Sequence, residues 1–333
     1  MPLRHLWGFH VRLRRFALGV VAVVVGVAWA VPASALNIGD DVFAYGDAGF
    51  HGSTGGVVLL SSPLVDIEAT PSGSGYWLLA RDGGVFSYGD AKFYGSTGAI
   101  HLNQPVVGMV ATPAGHGYWF VASDGGIFNY GDAAFYGSTG AMRLNKPIVG
   151  MATTPTGRGY WLVASDGGLF SFGDAHFYGS TGAIRLNRPV VGMAATRSGH
   201  GYWLVASDGG VFTYGDARFH GSTGAIPLNQ PIVGMTATCS GNGYWFVAGD
   251  GGVFTFGDAH FYGAPASDFL GRKRAVGIAA SPTGHGYWIA AVNNPGVAPG
   301  YGTLPPVNRP GFPTCGLSSM QRARQSPRGA SPT

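Results

Sequence analysis

Residues 147–182 read PIVGMATTPTGRGYWLVASDGGLFSFGDAHFYGSTG, and most of the chain is further copies of this block. Its Gly-Tyr-Trp tripeptide ends at Trp77, Trp119, Trp161, Trp203, Trp245 and Trp288. Its Gly-Asp-Ala tripeptide places Asp47, Asp90, Asp132, Asp174, Asp216 and Asp258, so both series step by 42 or 43 residues. A fixed period of this length means a ring or a solenoid of supersecondary units. Within the unit, residues 148–154 form a β-branched, small-residue run, and Pro155-Thr156-Gly157 turns it. Residues 160–165 mix aromatic and aliphatic side chains up to an Asp166-Gly167-Gly168 hairpin turn. Residues 169–172 give a third strand before the Gly173-Asp174-Ala175 turn, and residues 176–179 a fourth before a loop over 180–188. Four short antiparallel strands per unit predict an all-β fold, a six-bladed β-propeller with four-stranded blades. Glycine in the inner strand fits blades that crowd together near an axis.

The ends of the repeat region predict how the ring closes. The chain enters at Val42-Phe43-Ala44-Tyr45, in mid-unit, and leaves after Tyr287 to Val292, where Asn293-Asn294-Pro295 replaces the Asp-Gly-Gly turn. The N-terminal part is expected to supply strands three and four of a composite blade, the C-terminal part strands one and two. Such sharing pairs the otherwise open edges. An open β-solenoid is the alternative, and it needs no complementary half-units.

Charge misleads until the chain is divided. The formal net charge is +4. However, Arg4, Arg12, Arg14 and Arg15 precede an apolar run from Phe16 to Val31, and Pro32 leads into Ala33-Ser34-Ala35. Together these read as a signal peptide over residues 1–35, to be set aside in reasoning about the fold. An uncleaved anchor helix is disfavoured by the shortness of the run. Arg14-Arg15-Phe16-Ala17-Leu18 loosely fits a twin-arginine export signal without deciding the route. The mature chain is then near neutral, with Arg309, Arg322, Arg324 and Arg328 in its tail, so the repeats carry more acids than bases. A nucleic-acid partner needs a clustered basic face, and the repeats have none. The expected location is secreted or cell-surface, with no membrane contact after cleavage. The propeller domain is assigned to residues 36–294. Residues 295–333, rich in Pro, Gly and Arg, are expected to be a disordered tail. Cys315 lies in that tail, and Cys239 takes a turn slot that is proline at Pro71, Pro113, Pro155 and Pro282. In an oxidising setting the two are disulfide candidates, against two thiols or an intermolecular bridge.

The blocks Gly-Tyr-Trp-Leu-Val-Ala-Ser-Asp-Gly-Gly and Phe-Gly-Asp-Ala-x-Phe-Tyr-Gly-Ser-Thr-Gly resemble repeats of secreted and cell-surface proteins of actinobacteria, mycobacteria among them. There the repeats stand alone or accompany wall amidases, peptidases and glycosidases. The resemblance covers residues 40–292 and implies an extracytoplasmic binding or accessory module. In this sequence no hydrolase domain precedes the repeats, which removes the simplest route to an enzyme.

The polar residues that could carry chemistry are few. Glu68 is the only glutamate in the chain, and Asp66 lies two residues before it on the first inner strand. Alternation puts both on one face of that strand. They are the candidate catalytic pair of a glycan hydrolase or lyase working in the propeller channel; the plainer reading is two solvated residues in an irregular first unit. Asp82, Asp124, Asp166, Asp208 and Asp250 open hairpin turns, where backbone N–H groups explain them without a ligand. His116, His200 and His285 share one slot of a turn and are too far apart for one metal, so no metal and no cofactor are expected. Strand order puts the Asp-Gly-Gly turns and the Leu-Asn-x-Pro loops on one face. That face carries Asn103, Asn145, Asn187 and Asn229, with Lys146, Arg188, Asp124, Asp166 and Asp208, and is the candidate ligand-binding surface. A ring of amides suits glycan hydroxyls or the loops of a protein; otherwise the asparagines merely cap their loops. Because catalysis needs one asymmetric constellation while a multivalent binder gains from equivalent sites, the expected function is non-enzymatic binding of cell-envelope polysaccharide or a surface protein. A purely structural surface protein is the remaining alternative.

Overall fold

The computed structural model describes residues 41–55, 60–265 and 272–293. The assigned signal peptide, the tail and Cys315 lie outside these residues. All regular structure described is β, in six three-stranded antiparallel sheets. In chain order they are β2 (Leu64–Ala69), β3 (Gly75–Ala80) and β4 (Val85–Gly89); β5 (Val106–Ala111), β6 (Gly117–Ala122) and β7 (Ile127–Gly131); and β8 (Ile148–Thr153), β9 (Gly159–Ala164) and β10 (Leu169–Gly173). Then come β11 (Val190–Ala195), β12 (Gly201–Ala206) and β13 (Val211–Gly215), followed by β14 (Ile232–Ala237), β15 (Gly243–Ala248) and β16 (Val253–Gly257). The sixth sheet joins β1 (Asp41–Gly46) to β18 (Gly286–Asn293) and β17 (Lys273–Ala280).

The first strands pack around an axis. Each of β2, β5, β8, β11, β14 and β17 contacts the next, and β17 contacts β2, so the cycle is closed. This is a β-propeller arrangement. Five middle strands are buried along their whole length and β18 is buried from Gly286 to Ala291, because each sheet is covered on both faces by its neighbours. That explains the continuous apolar run Gly-Tyr-Trp-Leu-Val-Ala where a half-exposed strand would alternate. Side chains of the run divide between the two interfaces. Trp77 and Leu79 pack forward against Tyr118 and Phe120 of the following sheet. Six such hydrophobic clusters fill the six interfaces, and two of them contain residues of β1 together with β18.

The fourth strand expected from the sequence makes no ladder. After β4 the chain turns at Gly89-Asp90 and runs through residues 91–96 in the cleft between two sheets. Trp77 donates its indole N–H to Lys92 O (2.7 Å) from one side. From the other side the Tyr118 hydroxyl accepts from Tyr94 N (2.9 Å) and donates to Gly95 O (2.7 Å). The segment spends its backbone groups on side chains of two sheets instead of on a strand partner. The same bonds recur at Trp161 and Tyr202, which hold His176 O, Tyr178 N and Gly179 O.

The two chain segments of the sixth sheet are stitched in the same way. Trp288 donates to Gly49 O (2.6 Å), Ser281 donates to Asp47 (2.8 Å), and Lys273 pairs with Asp41.

Candidate functional site

The inner strands enclose a channel of about 820 Å³ whose lining comes from all six sheets. At one end it is ringed by Val65, Val107, Val149, Val191, Val233 and Val276. At the other it reaches the Thr-Pro turns, at Pro71, Pro113, Arg197, Cys239 and Pro282. Between these ends, five sheets contribute only small or apolar side chains. Gly108, Gly150, Gly192, Gly234 and Gly277 stand level with Asp66; Val110, Ala152, Ala194, Thr236 and Ala279 stand level with Glu68.

Alternation along β2 puts both acids on one face, as expected from the sequence, and that face lines the channel. They are not merely solvated, however. Asp66 Oδ2 accepts from Met109 N (2.9 Å) and Oδ1 from Ile67 N (2.9 Å), while Glu68 Oε1 accepts from Ala111 N (3.1 Å). The carboxylates thus stand in for strand hydrogen bonds between neighbouring inner strands. Each is half-buried because the channel admits water, yet protein surrounds both closely. Loss of hydration pushes Asp66 up to about 6, opposed by its two backbone donors. Burial pushes Glu68 up to about 8, opposed by the Ala111 N–H and reinforced by the Asp66 charge. No ion pair relieves either acid among the described residues.

The opposite face carries the expected ring of amides. Asn103, Asn145, Asn187 and Asn229 are exposed, as are Lys146 and Arg188, while Asp124, Asp166 and Asp208 are half-buried. These aspartates are turn residues: Gly126, Gly168 and Gly210 donate to Asp124, Asp166 and Asp208 Oδ1 at 2.9–3.0 Å. Asn145, Lys146 and Asp124 meet Gln104, Met142 and Leu144 around a shallow cleft of about 290 Å³. The Gly-Asp-Ala aspartates lie on the channel-mouth face, where Thr154 donates to Asp174 and Thr196 to Asp216, both at 2.8 Å. The six tryptophans of the repeats are buried between sheets and present no surface. Cys239 Sγ lies 3.3 Å from Thr283 O. Among the described residues no group of His, Cys, Asp and Glu is placed to hold a metal.

Two kinds of feature were not legible in the sequence, exposed apolar side chains and one arginine. Phe50, Phe93, Phe135, Phe177, Phe219 and Phe261 are each 57–61 % exposed, one on the flank of every sheet interface. Ile100, Met142, Ile184 and Ile226 are 55–58 % exposed in the loops that lead to the asparagines. The signal for the first was the Phe-Tyr pair itself: in an extended segment whose tyrosine packs inward, the residue before it must point out. The second feature is Arg197, which takes the proline slot at the channel mouth and donates to Cys239 O (2.9 Å).

Scans of the chain against known protein families and against curated proteins find no match. Among solved structures, the chain is similar to the β-propeller domain of Myceliophteria thermophila Cps50 (Swd1), at 12% identity and a TM-score of 0.42. That likeness covers 69% of this chain and 82% of the other.

Proposed function

We propose that this protein is an exported, non-enzymatic binding module that holds cell-envelope glycan, or failing that a surface protein, by repeated contacts around its ring. In this reading the six sheets are six blades closed by the composite sheet. The observation that carries it is the set of six exposed phenylalanines, one per sheet interface, all 57–61 % exposed. Exposed apolar side chains scattered singly need no explanation, but a large ring repeated with the fold's own period does. An aromatic face packs against the C–H side of a sugar ring, and the exposed amides of Asn103, Asn145, Asn187 and Asn229 suit its hydroxyls. Equivalent weak sites held on one rigid body add through effective concentration.

Retention on purified envelope polysaccharide tests this. Replacing Phe135, Phe177 and Phe219 together by serine is expected to release the protein while leaving its unfolding midpoint within the range of surface substitutions. Retention only on envelope protein would favour the protein partner, and retention on neither would leave a purely structural role. A second reading, a glycan hydrolase or lyase, is favoured by one observation: two neighbouring carboxyls, raised to about 6 and about 8, in a cavity. Turnover of wall glycan that vanishes in Glu68→Gln would support it over binding alone.

A further inference from the structure

The six units are nearly interchangeable, so the places where they differ are informative. Among the described residues three charged side chains line the channel: Asp66, Glu68 and Arg197. Each is unique among its equivalents. Glycine stands for Asp66 in the five other sheets, small or apolar residues stand for Glu68, and proline or Cys239 stands for Arg197. In the closed cycle of six inner strands, β2 and β11 are three steps apart. The acids on one wall and the exposed arginine in the rim turn that follows β11 therefore stand on opposite sides of the channel. Arg197 also stands at the level of Pro71, three residues beyond Glu68, an axial offset of on the order of 10 Å.

Of the bore's glycines, Gly277 is hemmed in, since a Cβ there would lie 3.2 Å from Asp66 Oδ1 and 3.4 Å from Ile67 N, but two others need not be glycine. Gly150 and Gly192 have no left-handed φ. A Cβ on either would meet nothing closer than 3.7 Å. Crowding of the inner strands, expected from the sequence, does not account for them. The bulge they occupy does not require glycine either, because Asp66 occupies the same bulge in β2. Glycine inside a strand otherwise marks a site of close approach; here a Cβ would rest at ordinary contact distance, on Val163 and the Gly192 backbone for Gly150 and on Val205 for Gly192, beside the channel both residues line. One oxygen of Glu68 accepts from Ala111 N, and the other has no hydrogen bond among the described residues.

We infer that the channel binds a small zwitterion, a short peptide or amino-acid-like molecule, with its ammonium group held by Asp66 and Glu68 and its carboxylate facing Arg197. This inference is independent of the phenylalanine ring. Among the described residues the acids have no cation of their own, and an incoming ammonium group supplies one. Asp66 is held in place by its two backbone donors and keeps lone pairs to offer. Titratable side chains lining the channel are Asp66, Glu68, Arg197 and Cys239. Because burial holds Glu68 protonated near neutrality, binding of a cation there drives a proton off the carboxyl into solvent.

Calorimetric titration of the full chain with trialanine, N-acetyl-trialanine and trialanine amide decides the matter. Trialanine is expected to bind, and its heat is expected to vary with the ionisation enthalpy of the buffer as one proton is released. Acetylation should weaken binding by about tenfold or more, and so should Glu68→Gln, which keeps the acceptor for Ala111 N. Amidation should weaken binding to the native protein and have no further effect on Arg197→Ala. Gly192→Ala should fold normally and bind less tightly. Failure of trialanine to bind, or equal affinity for the acetylated peptide, overturns the inference with the native protein alone. Binding unchanged by Glu68→Gln does so as well.

Discussion

Asp66 and Glu68 make the stability of this protein depend on pH in a direction opposite to that of most surface carboxylates. Their folded values are raised, to about 6 and about 8, so the neutral form is favoured on folding. Their contribution is fully present below pH 4 and is lost as pH rises through about 6 and about 8. Thermal denaturation in low-salt buffer should show this part of the stability falling between pH 4 and 9, by a few kcal/mol at most since channel water screens the charges. Glu68→Gln should flatten the fall; an unchanged pH profile in that variant would show that the carboxyl is hydrated normally. Tyr202 offers a test of the opposite kind. Its hydroxyl donates to Gly179 O at 2.7 Å and accepts from Tyr178 N at 3.0 Å. Tyr202→Phe should cost about 1–3 kcal/mol in urea denaturation, because the backbone groups it serves lose their partner. At this scale the sequence was legible wherever a residue's role is local. The Asp-Gly-Gly aspartates are turn acceptors, as their spacing implies. The bonds from Met109 N and Ala111 N to the channel acids were not legible, because they cross between sheets 43 residues apart.

The three strands of each sheet could be read from the period to within a residue or two, because each is bounded by a turn whose chemistry is explicit. The fourth segment could not. Its Phe-Tyr-Gly pattern alternates as a strand does, and only the side chains of two different sheets keep it off a ladder. Glycine settles its path. Gly179 has a φ of +136°, and a Cβ there would lie 2.5 Å from the Tyr214 ring. Gly179→Ala is therefore expected to cost 2 kcal/mol or more, roughly, through strain and collision together. Gly192→Ala, with ordinary φ and its nearest contact at 3.7 Å, should change stability little or raise it. Comparing their urea midpoints separates a glycine that the backbone needs from one that the channel uses. Equal losses would mean that inner-strand crowding matters after all.

At the scale of the molecule, closure rests on β1. It pairs along β18 from Asp41↔Ala291 to Gly46↔Gly286, and Asp47 accepts from Ser281 and Thr283 on the far side of the chain. Truncation through Gly46 should expose the edge of β18, lower the melting temperature and promote self-association, read by calorimetry and light scattering. A truncated chain that melts unchanged as a monomer would show that the ring does not depend on its clasp. The split sheet was legible because two incomplete units at the ends add up to one. The contents of the channel were only partly so, since Arg197 acquires meaning only when the ring sets it across from the acids. The clasp has a further consequence, for orientation. Because β1 and β18 run antiparallel, with Asp41 beside Ala291, the polypeptide arrives and departs on the same side of the disc. That side is the one bearing the asparagines; the channel mouth is on the reverse. A molecule leashed by either end would hold its amide ring toward the point of attachment and turn its open bore outward, to whatever diffuses past.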